Sequence, residues 1–149
     1  MHMDDQLLLG SRRLSVGLLT LHPEPVQIFN YWQVYLDNVN PLLKVTHTPT
    51  LQRRVVEAVG NLSGLKSGME ALMFGIYCMA VMSLTEQECR TMFSSGRNEL
   101  LTMFQTGCQQ ALWNCGFLST NDPDCLIALY FYLVPLPCFR DFCLADHCR

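Results

Sequence analysis

Charge is scarce in this chain. Asp, Glu, Lys and Arg make up 15% of its 149 residues, where an average soluble domain has about a quarter. So apolar a chain is suited to a buried fragment or to a subunit with sticky faces, and any exposed apolar patch would mark a partner surface or an aggregation risk. Basic clusters are missing too. The formal net charge is −3, and no Lys/Arg run exceeds the pairs Arg12-Arg13 and Arg53-Arg54. Nucleic-acid binding needs a basic stripe that displaces counterions from phosphates, so the chain is not expected to bind DNA by itself. The longest apolar run, Cys125 to Phe139, is interrupted by Pro135 and Pro137 and is too short to span a bilayer. No membrane segment is expected.

Chemical motifs are equally thin. There is no Gly-rich phosphate loop, no H-E-x-x-H and no G-x-S-x-G. Structural zinc sites favour cysteine pairs two to four residues apart, and none exists among the eight cysteines at 78, 89, 108, 115, 125, 138, 143 and 148. Cys138, Cys143, His147 and Cys148 come nearest, but their spacing fits no finger, and a tail of scattered thiols is the plainer reading. Asp4 and Asp5 stand where a secretory leader needs positive charge. With several cysteines on apolar helix faces, where a free thiol acts as a small hydrophobe, they read as mostly reduced and intracellular. His22 and His47 sit at helix entrances, where an imidazole more often bonds the backbone or caps a turn than serves a nucleophile. Asp37 has no second carboxylate on its helical face to form an acid/base couple and is expected to cap the turn from Asn38 to Pro41. No catalytic residue, metal ligand or cofactor site is expected.

What the chain does have is helical patterning. Its length suits one domain, and half its residues are hydrophobic. After a lead-in over residues 1–21, His22-Pro23-Glu24-Pro25 signals a helix entry. Val26, Phe29, Trp32, Leu36 and Val39 then recur at helical spacing, predicting an amphipathic helix over 24–38 that Asn38 and Asn40-Pro41 end. A short apolar connection follows. Thr48 is a natural N-cap before Pro49, with Leu51, Val55 and Val59 as the buried stripe and Gly60 as the stop. Lys66 to Leu84 is apolar on both faces and predicts a central helix buried nearly all round; its methionines (69, 73, 79 and 82) read as core, with adaptable packing that suits a ligand pocket. Thr85 to Glu88 fits a capping box for a helix running to about Phe93. Arg97 to Cys115 and Leu126 to Val134 complete the set, the last with aromatic content that also suits a buried strand. The predicted fold is all-α, an irregular array of about six helices.

One stretch is not generic. His22-Pro23-Glu24-Pro25, Phe29, Tyr31-Trp32-Gln33, Tyr35 to Lys44 (YLDNVNPLLK) and His47-Thr48-Pro49-Thr50-Leu51-Gln52 occur in one order. This resembles the opening of the fungal-specific transcription factor domain, the middle homology region of fungal zinc-cluster transcription factors. Met69 to Tyr77, Ala80 to Leu84, Glu88-Cys89, Gln110-Ala111-Leu112 and Phe117-Leu118 are similar to its later helices. The resemblance covers about residues 4 to 133.

The resemblance implies the N-terminal part of a larger helical regulatory domain, spanning residues 22–134 here. It implies a non-catalytic, nuclear role in transcription regulation. Protein partners, among them other transcription factors, would be met through apolar helix faces, and a small molecule would act as effector. DNA would be reached only through the zinc-holding six-cysteine cluster that this chain lacks. His22, Pro23, Trp32, Asp37, Asn38, Asn40, Pro41, His47 and Pro49 are the family-motif residues, structural or interacting; for Trp32, Asp37, Asn38 and His47 the favoured role is to fix the junction between two helices. Two other readings stay open. The chain could act alone as a dominant-negative interaction protein. It could also be an enzyme or ligand-binding protein reusing the scaffold, with a pocket near Trp32, Tyr35 and His47. The likeness fades after Leu133, leaving 135–149 as a divergent tail, as a truncated gene model would produce. Transcript sequencing is expected to show a splice site near residue 134; one continuous exon through 134–149 would refute that account.

Overall fold

Prolines and short polar side chains set where the helices begin. In the computed structural model, which describes residues 17–134, α1 spans Leu18–Leu21 and α2 spans Pro25–Val34. Proline stands in the first turn of α2, where its missing N–H would have had no intrahelical partner. A π turn, Tyr35–Val39, joins α2 without a break to α3, Asn40–Leu43. Lys44, at φ 48°, ends this run in the left-handed region. Next come α4, Thr48–Val59, a 3-10 turn, Leu62–Gly64, α5, Ser67–Met82, α6, Glu86–Phe93, α7, Arg97–Asn114, and α8, Pro123–Leu133. No strand occurs among the described residues, and six of the helices have eight residues or more. The fold is all-α.

α5 is the axis. From Gly68 to Met82 every residue but Glu70 is buried, and α7, α8, α2 and the π turn pack around it. A helix apolar on all sides has to be wrapped by others, because any face left in water forfeits its burial energy. Its end is closed by charge. Arg97 donates from Nε to the Leu84 carbonyl at 2.9 Å and from Nη2 to the Met82 carbonyl at 3.1 Å. A cation at a helix C-terminus satisfies unpaired carbonyls and opposes the negative end of the helix dipole. The predicted capping box at α6 is present. The Glu88 N–H donates to Thr85 Oγ1 at 3.1 Å, and the Thr85 N–H donates to Glu88 Oε1 at 2.9 Å.

Aromatic rings fill the space around α5. Tyr31 stacks on Phe93 with ring centroids 3.9 Å apart and meets Phe104 edge-on at 5.1 Å. Two glycines let neighbouring helices come close. A Cβ at Gly107 of α7 would lie 2.6 to 2.9 Å from Phe74 ring carbons, and one at Gly75 of α5 would lie 3.2 Å from the Phe131 ring.

Four expectations are corrected. Val26 and Phe29 are 71% and 39% exposed, and α2 buries Ile28, Tyr31, Trp32 and Val34 instead. Because α2 is apolar almost throughout, two stripes fit helical spacing, and the one with the larger aromatic area is buried. The helix does not end at Asn38 or Asn40-Pro41. The Asn40 N–H reaches back five residues to the Tyr35 carbonyl, and this widened turn carries the chain past a proline that would otherwise break it. α8 starts at Pro123, three residues before the expected Leu126, because the Asp122 carboxylate accepts from the Asp124 N–H at 3.0 Å and proline fits the first turn. His47, not Thr48, occupies the N-cap position of α4. The expectation for Cys138, Cys143, His147 and Cys148 lies outside the described residues.

Gly107→Ala is expected to lower stability by about 1–3 kcal/mol, the usual cost of overpacking a tight core. Urea unfolding followed by circular dichroism at 222 nm checks this; an unchanged midpoint would mean that α5 and α7 do not meet at Phe74.

Candidate regulatory site

The motif stretch folds into one junction, built around the π turn. Trp32 is buried and stacks on Tyr35, with centroids 5.5 Å apart, and Tyr35 is fully buried with its hydroxyl 3.1 Å from Thr46 Oγ1. Asn38 donates from Nδ2 to Ser83 Oγ at 3.1 Å, and Ser83 Oγ donates to the Ala80 carbonyl at 2.7 Å. The π turn is thereby pinned to the last turn of α5. Asn40 donates to Thr48 Oγ1 at 3.2 Å, tying α3 to the start of α4. Asp37 does not cap the following turn; its Oδ1 accepts from Gln33 Nε2 at 2.9 Å on the exposed face. Pro41 follows the π turn at the start of α3, and Pro49 lies in the first turn of α4, both exposed. His47 is exposed, with Nδ1 2.8 Å from Thr50 Oγ1. Trp32 Nε1 and Asn40 Oδ1 are buried without a hydrogen-bond partner.

His22 lies elsewhere, and its role differs from a backbone-bonding cap. Its side chain is buried against α5, with Nε2 3.0 Å from Glu70 Oε2 and Nδ1 3.1 Å from the Tyr77 hydroxyl, while the ring stacks on Phe74 at 4.4 Å. A carboxylate only accepts, so Nε2 donates to Glu70. The trio is no nucleophile relay. Burial pushes the Tyr77 hydroxyl far above the usual phenol range, with Glu70 adding to the shift, and the His22 side chain has no exposed surface. The arrangement instead straps the segment before α2 onto the central helix; Pro23 follows it directly as the chain turns into α2.

Two cavities flank a charged partition that the motif search missed. Arg54 of α4 forms a two-pronged pair with Asp124 of α8, Nη1 lying 3.0 Å from Oδ1 and Nη2 pairing with Oδ2; Nη2 also contacts Met69 Sδ at 3.3 Å. The paired carboxylate raises the Arg54 pKa further, against the opposing effect of its partial burial. One cavity, of about 390 Å³, has Glu57, Lys66 and Asp122 in its wall. The other, about 210 Å³, lies under Thr46, His47 and Thr50 and is floored by Leu51, Leu72 and Ile127. Arg54 and Asp124 line both. Of the three residues near which a pocket is expected, His47 lines the smaller cavity, and Trp32 and Tyr35 do not. Arg54 and Asp124 are 70 residues apart in sequence, and neither belongs to a motif, so no local signal announces them.

The thiols carry a correction. Cys78, Cys89 and Cys108 are free and buried, and burial pushes Cys89 up to about 11 and Cys108 to about 12. Thiols so far from their thiolates are inert. Cys115 and Cys125, however, are joined as a disulfide. The expectation of mostly reduced cysteines did not foresee this, because two half-turn positions ten residues apart come together only through the loop between α7 and α8. Among the described residues no group of three His, Cys, Asp or Glu could hold a metal, and no helix is long and apolar enough to cross a membrane.

The described residues form an all-helical core with polar pins between helices. The chain is 51% identical over 133 residues to the transcriptional regulator AacuB of Aspergillus aculeatus, covering 89% of this chain and 18% of that protein. It is 52% identical over 130 residues to the transcriptional regulator nsrM of Aspergillus novofumigatus, covering 87% and 18%. It is 32% identical over 130 residues to the C6 finger domain transcription factor adaR of Aspergillus niger, covering 85% and 17%. The chain is thus homologous to one stretch of fungal transcription regulators. More particularly, it spans less than a fifth of the length of each of these three. No protein-family model matches it, and no solved structure does.

Asn38→Ala and Ser83→Ala should each destabilise the fold, and together by less than the sum, with a coupling of about 0.5–1.5 kcal/mol, as one hydrogen bond contributes. A double-mutant cycle from urea unfolding measures it; strict additivity would show that the π turn is not held through this pair.

Proposed function

We propose that this chain is part of the middle homology region of a fungal zinc-cluster transcription factor and regulates that factor's output in the nucleus through protein contacts, while DNA binding resides in another part of such a protein. The observation that carries this reading is the homology itself: over half of the matched residues are identical to those of regulators in which the matched stretch is less than a fifth of the length. The surface supports contact as the mode of action. Leu126, Tyr130 and Leu133 stand at helical spacing on α8 and are 48%, 46% and 56% exposed, an apolar stripe of the kind that meets a partner helix. The cavities either side of Arg54 and Asp124 suit a small effector, since a molecule that bound there would bear on α4 and α8 at once.

A segment exchange tests this. The matching stretch of AacuB is replaced by this chain, and a target-promoter reporter and promoter occupancy are both measured. The exchange should preserve regulated output. Replacing Leu126, Tyr130 and Leu133 with Asp in the exchanged segment should change output several-fold and leave occupancy unaltered. Output unaffected by the triple replacement would overturn the contact mechanism, and lost occupancy would show that the segment takes part in DNA binding.

A further inference from the structure

We propose that Cys115 and Cys125 form a reversible thiol–disulfide switch that locks the first turn of α8 to the end of α7. Their Cα atoms are 6.9 Å apart across a sequence separation of ten, at the outer edge of bridging distance. The approach is built by the chain itself. Gly116 takes φ +64° directly after Cys115, its N–H donates to the Trp113 carbonyl at 3.1 Å, and the Phe117 N–H donates to the Leu112 carbonyl at 3.2 Å. These bonds close the end of α7 and send the chain back toward α5. Cys115 is half-buried at that end, whereas Cys125 is wholly buried one turn into α8. The pair therefore combines an approachable sulfur with a sheltered one.

Its selectivity over the other described thiols follows from their burial. Cys78, Cys89 and Cys108 are buried to 3% exposure or less, and burial suppresses their ionisation. Among the described cysteines, an oxidant of the glutathione disulfide class would reach the half-buried Cys115 sulfur, as its thiolate, first. That sulfur attacks one sulfur of the oxidant, the oxidant's S–S bond breaks, and one glutathione thiolate leaves. The Cys125 thiol, held beside the Cys115 sulfur, then gives up its proton to the departing glutathione sulfur as its own sulfur attacks the mixed disulfide at Cys115 and expels the second glutathione. One protein disulfide forms, one glutathione disulfide becomes two thiols, and the two cysteine protons end on them. Excess reduced glutathione runs the sequence backwards.

The consequence falls on the cavities. The turn that the bridge fixes contains Pro123 and Asp124 and follows Asp122. Asp124 holds Arg54, and a Cβ on Gly68 would meet the Asp122 carboxylate. The oxidised form holds the partition between the two cavities; the reduced form leaves it to the ion pair and to the packing of Phe131. This inference does not rest on the reading of the chain as a transcription regulator.

The test uses the whole chain, equilibrated in mixtures of reduced and oxidised glutathione, acid-quenched, alkylated and mapped by mass spectrometry, with hydrogen exchange read over residues 122–127. The Cys115–Cys125 cross-link should rise with oxidised glutathione and fall again on return to reduced glutathione. Exchange in the first turn of α8 should slow at least about tenfold in the bridged form, as closing a loop implies. Cys115→Ser, made at a half-exposed position, should keep the helical circular dichroism and lose the redox dependence. Cys125→Ala should accumulate a glutathione adduct on Cys115. Absence of the cross-link at every ratio, cross-links that join these residues chiefly to other cysteines, or equal exchange in both forms would each overturn the proposal.

Discussion

Everything in this fold answers to a helix that has no face to give to water. α5 carries Phe74, Ile76, Tyr77, Met79 and Val81 among its buried residues, and burying each such side chain contributes about 1.5–3 kcal/mol. That gain exists only while other helices cover the whole circumference. The wrapping helices must therefore come close, which is why Gly75 and Gly107 lack side chains where Phe131 and Phe74 press in. They must also close the ends, since α5 has no solvent route for its terminal carbonyls, and Arg97 reaches across to supply the donors.

The same constraint shapes the polar groups. His22 meets α5 through Glu70 and Tyr77, Asn38 through Ser83, and Arg54 through Met69. Each is a specific bond between a peripheral segment and the central helix, in surroundings where an unpaired polar atom costs more than a paired one gains. These groups fix which way each segment lies on an otherwise uniform apolar surface. Two cavities lie against α4 and the first turn of α8, and the Arg54–Asp124 ion pair lines both.

Sequence reading reached the helices well, because their signals are local. Proline in first turns, the Thr85–Glu88 box and the unbroken apolar run of α5 each act within a few residues. It did less well where the signal was ambiguous or remote. α2 offers two apolar stripes, and only contact with α5 and its neighbours selects the one containing Ile28, Tyr31 and Trp32. The π turn needs one extra residue that no propensity marks. The site is split in the same way: Trp32, Asn38 and Asn40 could be named because they lie in one motif, and the structure gathers them at one junction. Arg54 with Asp124, and Cys115 with Cys125, are pairs made by chain reversal, so only coordinates bring them together.

The π turn also bears on how this stretch can vary in length. A regular helix cannot take in an extra residue without rotating everything beyond it by about 100°. A five-residue turn closed from the Asn40 N–H to the Tyr35 carbonyl takes it in as a local bulge and leaves both flanks in phase. Trp32 on one side and Asn40 on the other keep their partners. The bulge also carries Asn38, whose side chain meets Ser83 at the end of α5. The bulge is thus a place where one added residue is absorbed locally while the helices on either side keep their bearing on the core.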